Sequence, residues 1–323
     1  MEQHGCIERK SVFDCIIPLF WWHWNLNFGD YLSPYIVQKL SPCTVMNQGF
    51  PLIFSIRYVI SRLLRKGDVS IDYLKESLHN RTKYLVGLGS VITASSNKAF
   101  VWGSGFQNPN VPFKGGTVCA VRGRFSAEKL VEYGYPKCEV YCDPGLLMPL
   151  LYRPKRSKSD KFGIIPHACE FDSVSKKVEE LKVPVKIIDL RSSDVEKVIN
   201  NICSCEYILS SSLHGIIIAQ SYNIPALFFQ HTHKGEGLFK YNDYFSSVNI
   251  EPYTPFEFSD IIPEINDVSN LFDQNYKKTL IRTDLIQMQR KLIHAAPFCL
   301  REKFSGEKLE EEFINERAYL NSL

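Results

Sequence analysis

Residues 207–229 read YILSSSLHGIIIAQSYNIPALFF. A short apolar run, Tyr207–Leu209, ends in three serines. Leu213, His214 and Gly215 then open an apolar stretch that suits a helix over 213–222, and Pro225 separates it from a second β-type run, Ala226–Phe229. Proline does not continue a helix, and strands buried on both faces are near-continuously apolar. The stretch therefore predicts strand, helix, strand, and that order implies a parallel sheet.

The alternation extends in both directions. Strands are expected at 12–20, 84–87, 100–103, 118–121, 162–165 and 185–190, and helices at 30–40, 56–65, 126–133, 172–182 and 193–203. Ser126 is placed to cap a helix that Gly134 stops, and Ser193 and Asp194 precede VEKVINNI in the same way. The fold class is α/β. The length of 323 residues suggests two domains. The basic stretch YRPKRSKSDK, 152–161, reads as a linker between apolar GLLMPLL and the new strand FGIIP. One domain then covers 1–152, a second 162–300, and a charged, helix-prone tail 301–323.

Composition narrows the function. The chain is 45% hydrophobic and 23% charged, with 38 basic and 35 acidic residues and a net charge of +3, so nucleic acid is not expected as a partner. The N-terminus MEQHGCIERK does not read as a signal peptide, and the apolar run Cys15–Trp22 is too short to span a bilayer. None of the ten cysteines forms a C-x-x-C pair, which suits free thiols in a reducing cytoplasm, and no metal site is expected. Aromatic residues make up 13% of the chain, enough for both packing and sugar stacking.

In parallel α/β sheets, ligands bind at the carboxyl ends of strands beside helix N-termini. The turn at 210–215 is the strongest such place. Its free N–H groups suit a phosphate or carboxylate, with Ser211 and Ser212 as hydroxyl donors, Leu213 and His214 at the helix start, and Gly215 allowing close approach. His214 can donate a proton or pair with an anion. In VRGRFS, Arg122 and Arg124 follow a strand, and Arg122, nearer its end, is preferred as the anion grip. In WWHWNLNFGDYL, Asn27 and Asp30 can hydrogen-bond a polyol and Trp21, Trp22 or Trp24 can stack on a sugar, although Asp30 equally suits an N-cap. Gly-rich turns at 87–90 and 102–106, including Gly103, keep backbone open at the same edge. His167 follows the strand at 162–165. The segment 231–245 crowds ionisable groups, among them Lys234, Lys240 and Asp243.

NFGDYLSPYI, the two Gly-rich turns, VRGRFSAEKLVEYG, CDPGLL, SSSLHGIIIAQSYNIP and FKYNDYF occur in this order. Over about residues 13–250 the chain resembles the polysaccharide pyruvyl transferase family, most closely the bacterial exopolysaccharide and capsule ketal-pyruvyltransferases. The resemblance implies a GT-B-like fold, with two Rossmann-like domains facing across a cleft, the first on the acceptor side and the second on the donor side. It implies transfer of the pyruvyl group of phosphoenolpyruvate to two sugar hydroxyls as a cyclic ketal, with no cofactor. It associates Arg122 and His214 with the donor, His214 acting as general acid or supporting phosphate departure, while Asp243 or Asp30 assists the attacking hydroxyl. Some relatives carry arginine where this chain has Ser212, so Lys240, Lys234 or Arg124 is expected to supply the missing contact. The expected location is cytoplasmic. A lipid-linked acceptor at the inner membrane face would bring peripheral contact through the basic linker or the Trp cluster. Two rivals stay open: a nucleotide-sugar glycosyltransferase on the same fold, and a non-catalytic sugar-binding module.

Overall fold

The computed structural model describes residues 11–13, 16–48, 83–155, 160–181, 184–232, 237–261 and 268–323. The helix expected at 56–65 lies outside the described residues. Two five-stranded sheets, parallel throughout, carry the fold. The first contains β1 (Ile16–Phe20), β2 (Thr44–Asn47), β3 (Tyr84–Val86), β4 (Ala99–Ser104) and β5 (Thr117–Val121), in the order β2-β1-β3-β4-β5. The second contains β6 (Asp160–Ile165), β7 (Lys186–Ile187), β8 (Cys205–Ser210), β9 (Ala226–Gln230) and β10 (Phe256–Glu257), in the order β10-β9-β8-β6-β7. Counted from its own first strand, each sheet has the order 2-1-3-4-5. The chain therefore leaves the first and third strands of each sheet in opposite directions, and a crevice opens at their carboxyl ends. The switch points lie between β1 and β3, and between β6 and β8.

The principal helices are α1 (Phe28–Leu40), α2 (Arg124–Glu132), α3 (Met148–Leu151), α4 (Phe171–Leu181), α5 (Val195–Cys203), α6 (Leu213–Ser221) and α7 (Leu238–Ser247). Later in the chain come α8 (Phe258–Ile261), α9 (Val268–Gln274), α10 (Tyr276–Thr279), α11 (Leu285–His294) and α12 (Gly306–Asn321). Local chemistry sets several ends. The Asn27 side chain accepts from Gly29 N–H to cap α1, and Asp194 accepts from Lys197 N–H to cap α5. Asn223, at φ 56°, ends α6 in the left-handed region ahead of Pro225. Apart from His214, α6 is buried along its whole length, which is why its sequence is apolar on every face.

The structure departs from the sequence reading in several places, among them β7, which spans Lys186–Ile187 where a strand over 185–190 was expected. β1 begins at Ile16 rather than residue 12, and short edge strands β2 and β10 carry too few residues for a clear alternating pattern. The helix after β5 starts at Arg124, so Ser126 lies inside it and is not its cap. The ionisable segment 231–245, for which no helix was expected, contains most of the helix α7. The C-terminal part of the chain returns to the first sheet: the Trp102 indole donates to Leu292 O at 2.9 Å, and Arg301 N–H donates to Leu40 O at 2.7 Å. Tyr319 Oη donates to Pro154 O and Arg153 pairs with Glu312, so α12 holds the segment that leads from one sheet to the other. Among the described residues, no helix is long and apolar enough to cross a membrane.

Candidate active site

The two switch points face one another across a cavity of about 190 Å³. From the first sheet, the β1–α1 connection supplies Trp22, Asn27 and Asp30, and the turn after β3 supplies Gly89, Ser90 and Val91. From the second, the turn after β6 supplies His167 and Ala168, and the β8–α6 turn supplies Ser212, Leu213 and His214. A second cavity of about 300 Å³ adjoins it; Gln107, His167 and Lys240 line both.

His214 is the second residue of α6, and its ring lies against the start of α1. A Cβ added to Gly29 would sit 2.3 Å from His214 Nδ1, so the glycine makes the space that the imidazole occupies. Nε2 is buried and has no hydrogen-bond partner among the described residues. Burial, then the charges of Arg122 and Lys240, push the His214 pKa down to about 3. The ring is neutral at pH 7, whereas a resident general acid would be protonated. Ser212 Oγ makes no capping bond, although Ser212 is the N-cap of α6, and its hydroxyl stays available at the helix N-terminus.

Asp30 is not the cap of α1, because Asn27 has that role. Asn27 Nδ2 donates to Asp30 Oδ2 at 2.8 Å, and the Asp30 pKa is raised to about 7 by burial, partly offset by this bond. A carboxyl group that titrates near neutrality in a cleft is suited to proton transfer. Lys240 makes no ion pair among the described residues. Burial, then Arg122, lowers its pKa to about 8, so it is largely cationic at pH 7.

Arg122 and Asp243 lie elsewhere than their sequence roles suggest. Both are fully buried, and they form a salt bridge at 2.9 Å. Arg122 also donates to Ser90 Oγ at 2.7 Å and to Phe106 O at 2.6 Å. Asp243 accepts from Ser126 N–H at 2.8 Å and from Ser126 Oγ at 2.6 Å. Asp243 thus caps α2 from α7, across the molecule. Gly123 makes this approach possible, since a Cβ there would fall 1.8 Å from Asp243 O. An aspartate so fully engaged clamps α7 to α2, and it lines neither cavity. Arg122 sits behind the cavity wall, touching the site through Ser90 and through its charge.

The other expected residues divide. Asn27, Ser212, Leu213, His167 and Lys240 line the smaller cavity, and Ser211 lines the larger. Ser211 Oγ donates to Glu170 at 2.7 Å and accepts from His167 N–H at 2.9 Å, so it fixes the two second-sheet turns together. Gly215 is a packing residue: a Cβ would meet Ser210 Oγ at 2.4 Å. Gly103, at φ +83°, leaves room for Pro144 and lines neither cavity. Arg124 is on the surface, donating to Ser246 O and stacking over Tyr141. Trp22, not Trp24, lines the cavity; Trp24 lies edge-on against it with ring centroids 5.4 Å apart. Lys234 lies outside the described residues. Sequence reading missed Ser90, Gln107 and Glu170. Ser90 stood in a quoted Gly-rich turn and Glu170 three residues after His167, but Gln107 had no signal.

An uncharacterized protein, L143 of Acanthamoeba polyphaga mimivirus, is 26% identical over 233 residues, covering 68% of this chain and 81% of the relative. The sequence model described as polysaccharide pyruvyl transferase matches residues 67–233, more than half of the chain, and spans Arg122, Ser212 and His214. The chain belongs to the polysaccharide pyruvyl transferase family, a membership that supports polysaccharide pyruvyl transfer as its general activity and a polysaccharide sugar as its acceptor.

Proposed function

We propose that this protein transfers the pyruvyl group of phosphoenolpyruvate to two hydroxyls of one sugar, forming a cyclic ketal, at a cleft between two Rossmann-like halves in a GT-B-like arrangement. The observation that carries the reading is the smaller cavity. It joins an unpartnered imidazole, a carboxyl group of pKa about 7, an ammonium group and the N-terminus of α6. The donor carries a phosphate and a carboxylate, and Lys240 with the α6 N–H groups and Ser212 Oγ matches them. Lys240 takes the place of the arginine that some relatives carry at the Ser212 position.

The reaction balances without a cofactor. Two C–O bonds form at the central carbon of the donor, its bond to phosphate breaks, and its methylene becomes a methyl. Of the two hydroxyl protons, one ends on that methyl and the other leaves with phosphate. Asp30, titrating near 7, receives a hydroxyl proton as attack proceeds. His214 is neutral in the empty site and donates a hydrogen bond to the departing phosphate. An anion bound beside the ring raises its pKa and strengthens that donation. Incubation with phosphoenolpyruvate and a panel of glycosides tests the reading. A glycoside that gains the mass of a pyruvyl ketal, with one phosphate released per ketal, is the expected result. Turnover of nucleotide-sugars instead would overturn it.

A further inference from the structure

The larger cavity has no assigned occupant, and its chemistry differs from that of its neighbour. Its wall is aromatic: Phe228 and Tyr241 stack at 3.8 Å and 13°, and Tyr241 Oη donates to Ser211 O at 2.7 Å, which fixes the ring. Its charged lining among the described residues is balanced, with Lys240 at the junction and Glu170 on the second-sheet side. Glu170 is held by Ser211 Oγ at 2.7 Å and by Thr232 N–H at 2.9 Å. From the first-sheet side comes Gln107, exposed and with no hydrogen bond among the described residues, so its amide can both donate and accept. Glu170 and Gly237 immediately precede α4 and α7, so two helix starts border this space, with the Glu170 carboxylate set against Lys240 there; the start of α6 belongs to the smaller cavity.

We infer that the larger cavity is the acceptor subsite and takes a neutral sugar ring, with Gln107 hydrogen-bonding its hydroxyls opposite the Phe228–Tyr241 wall. This rests on the proposed pyruvyl transfer, which assigns the anionic donor to the smaller cavity. An apolar ring face beside a few convergent polar groups matches an uncharged polyol. The shared border at Gln107, His167 and Lys240 then brings the sugar hydroxyls to the donor carbon. His167 Nδ1 lies 2.9 Å from Cys169 Sγ, and Cys169 lines the larger cavity alone. Bulk introduced at Cys169 therefore enters the acceptor subsite directly and can reach the donor subsite only through His167.

The test measures equilibrium binding of two probes to the whole chain: phosphoenolpyruvate, and 4-nitrophenyl glycosides of glucose, galactose and mannose. In Cys169→Trp, glycoside affinity is expected to fall about tenfold or more through overpacking, with phosphoenolpyruvate affinity within about twofold. In Gln107→Ala, glycoside affinity is expected to fall about fivefold, the worth of one hydrogen bond. The inference is overturned if Cys169→Trp leaves glycoside affinity unchanged, if both probes weaken by the same factor, or if no glycoside binds a wild-type protein that binds phosphoenolpyruvate. A wild-type protein that fails to bind phosphoenolpyruvate refutes the underlying pyruvyl-transfer reading instead.

Discussion

Gly29→Ala isolates the contact between α1 and the imidazole. In most helices this substitution stabilises, by about 0.5–1 kcal/mol, because alanine has less backbone freedom to lose. Here the new Cβ would lie 2.3 Å from His214 Nδ1, where ordinary contact begins at 3.4 Å. Ring or helix must yield by about 1 Å. The helix is tied by Phe28 N–H, which donates to Leu190 O at 2.8 Å, and by its Asn27 cap, so the ring moves. A misplacement of about 1 Å at a reacting group costs roughly 100-fold, or about 2.7 kcal/mol of transition-state stabilisation. The expected variant unfolds cooperatively near the wild-type temperature and loses roughly 100-fold in kcat/KM. The assay pairs phosphate release from phosphoenolpyruvate plus acceptor with a calorimetric melt. A folded variant within about threefold of wild-type kcat/KM would show that the ring position does not matter. Loss of cooperative unfolding would show that the contact is structural.

Three further outcomes follow from the same geometry. Asp30→Asn is expected to lower kcat by about 10²–10⁴ and to remove an acid limb near pH 7 from the rate profile; retention of that limb would assign it to another group. Lys240→Met is expected to raise KM for phosphoenolpyruvate about tenfold or more. Wild-type donor affinity should fall as pH rises through about 8 and the ammonium loses its proton, and a variant with the same pH dependence would exclude Lys240. Arg122→Met and Asp243→Leu should each cost about 3–5 kcal/mol in urea unfolding, because each strands a buried charge, and the double variant should cost less than their sum; additive costs would refute the clamp.

The His214 pKa also has a stability consequence, with a definite sign. Its folded value, about 3, lies below the unfolded value of 6.5, so between these pH values the unfolded chain binds the additional proton. Stability is therefore lost as pH falls from 6.5 towards 3. Asp30, Asp143 and Glu316, all raised to about 7 by burial, act in the opposite sense: they lose stability as pH rises from about 4 towards 7. The clean measurement is a comparison with His214→Gln. The wild type should lose ground to the variant as pH falls from 6.5 to 3, and parallel stability curves would refute the neutral ring.

The β8–α6 turn was legible because its signals are local. An apolar strand, a serine run and an apolar helix lie within a few residues of each other, and so do the Asn27 cap and the stop at Asn223 and Pro225. The edge strands β2 and β10 were not legible, since two to four residues cannot display an alternating pattern. The pairing of Arg122 with Asp243 was not legible for a related reason. Each looks like a cleft residue on its own segment, and only their pairing across 121 positions, with Gly123 opening the space, makes them a clamp.

By itself the sequence determined the parallel α/β class and the family, and it pointed to the strand carboxyl ends where the candidate site lies. These rest on hydrophobic period, turn chemistry and ordered motifs, which are properties of neighbours along the chain. Only the tertiary structure decided that the two sheets share one strand order and present their switch points to each other. It decided as well that Asp30 lines the cleft while Asp243 is buried against Arg122, that burial holds His214 neutral, and that Lys240 stands where two cavities meet. Burial and Coulomb interaction are sums over groups brought together by folding, so a residue's charge state cannot be read from its place in the sequence.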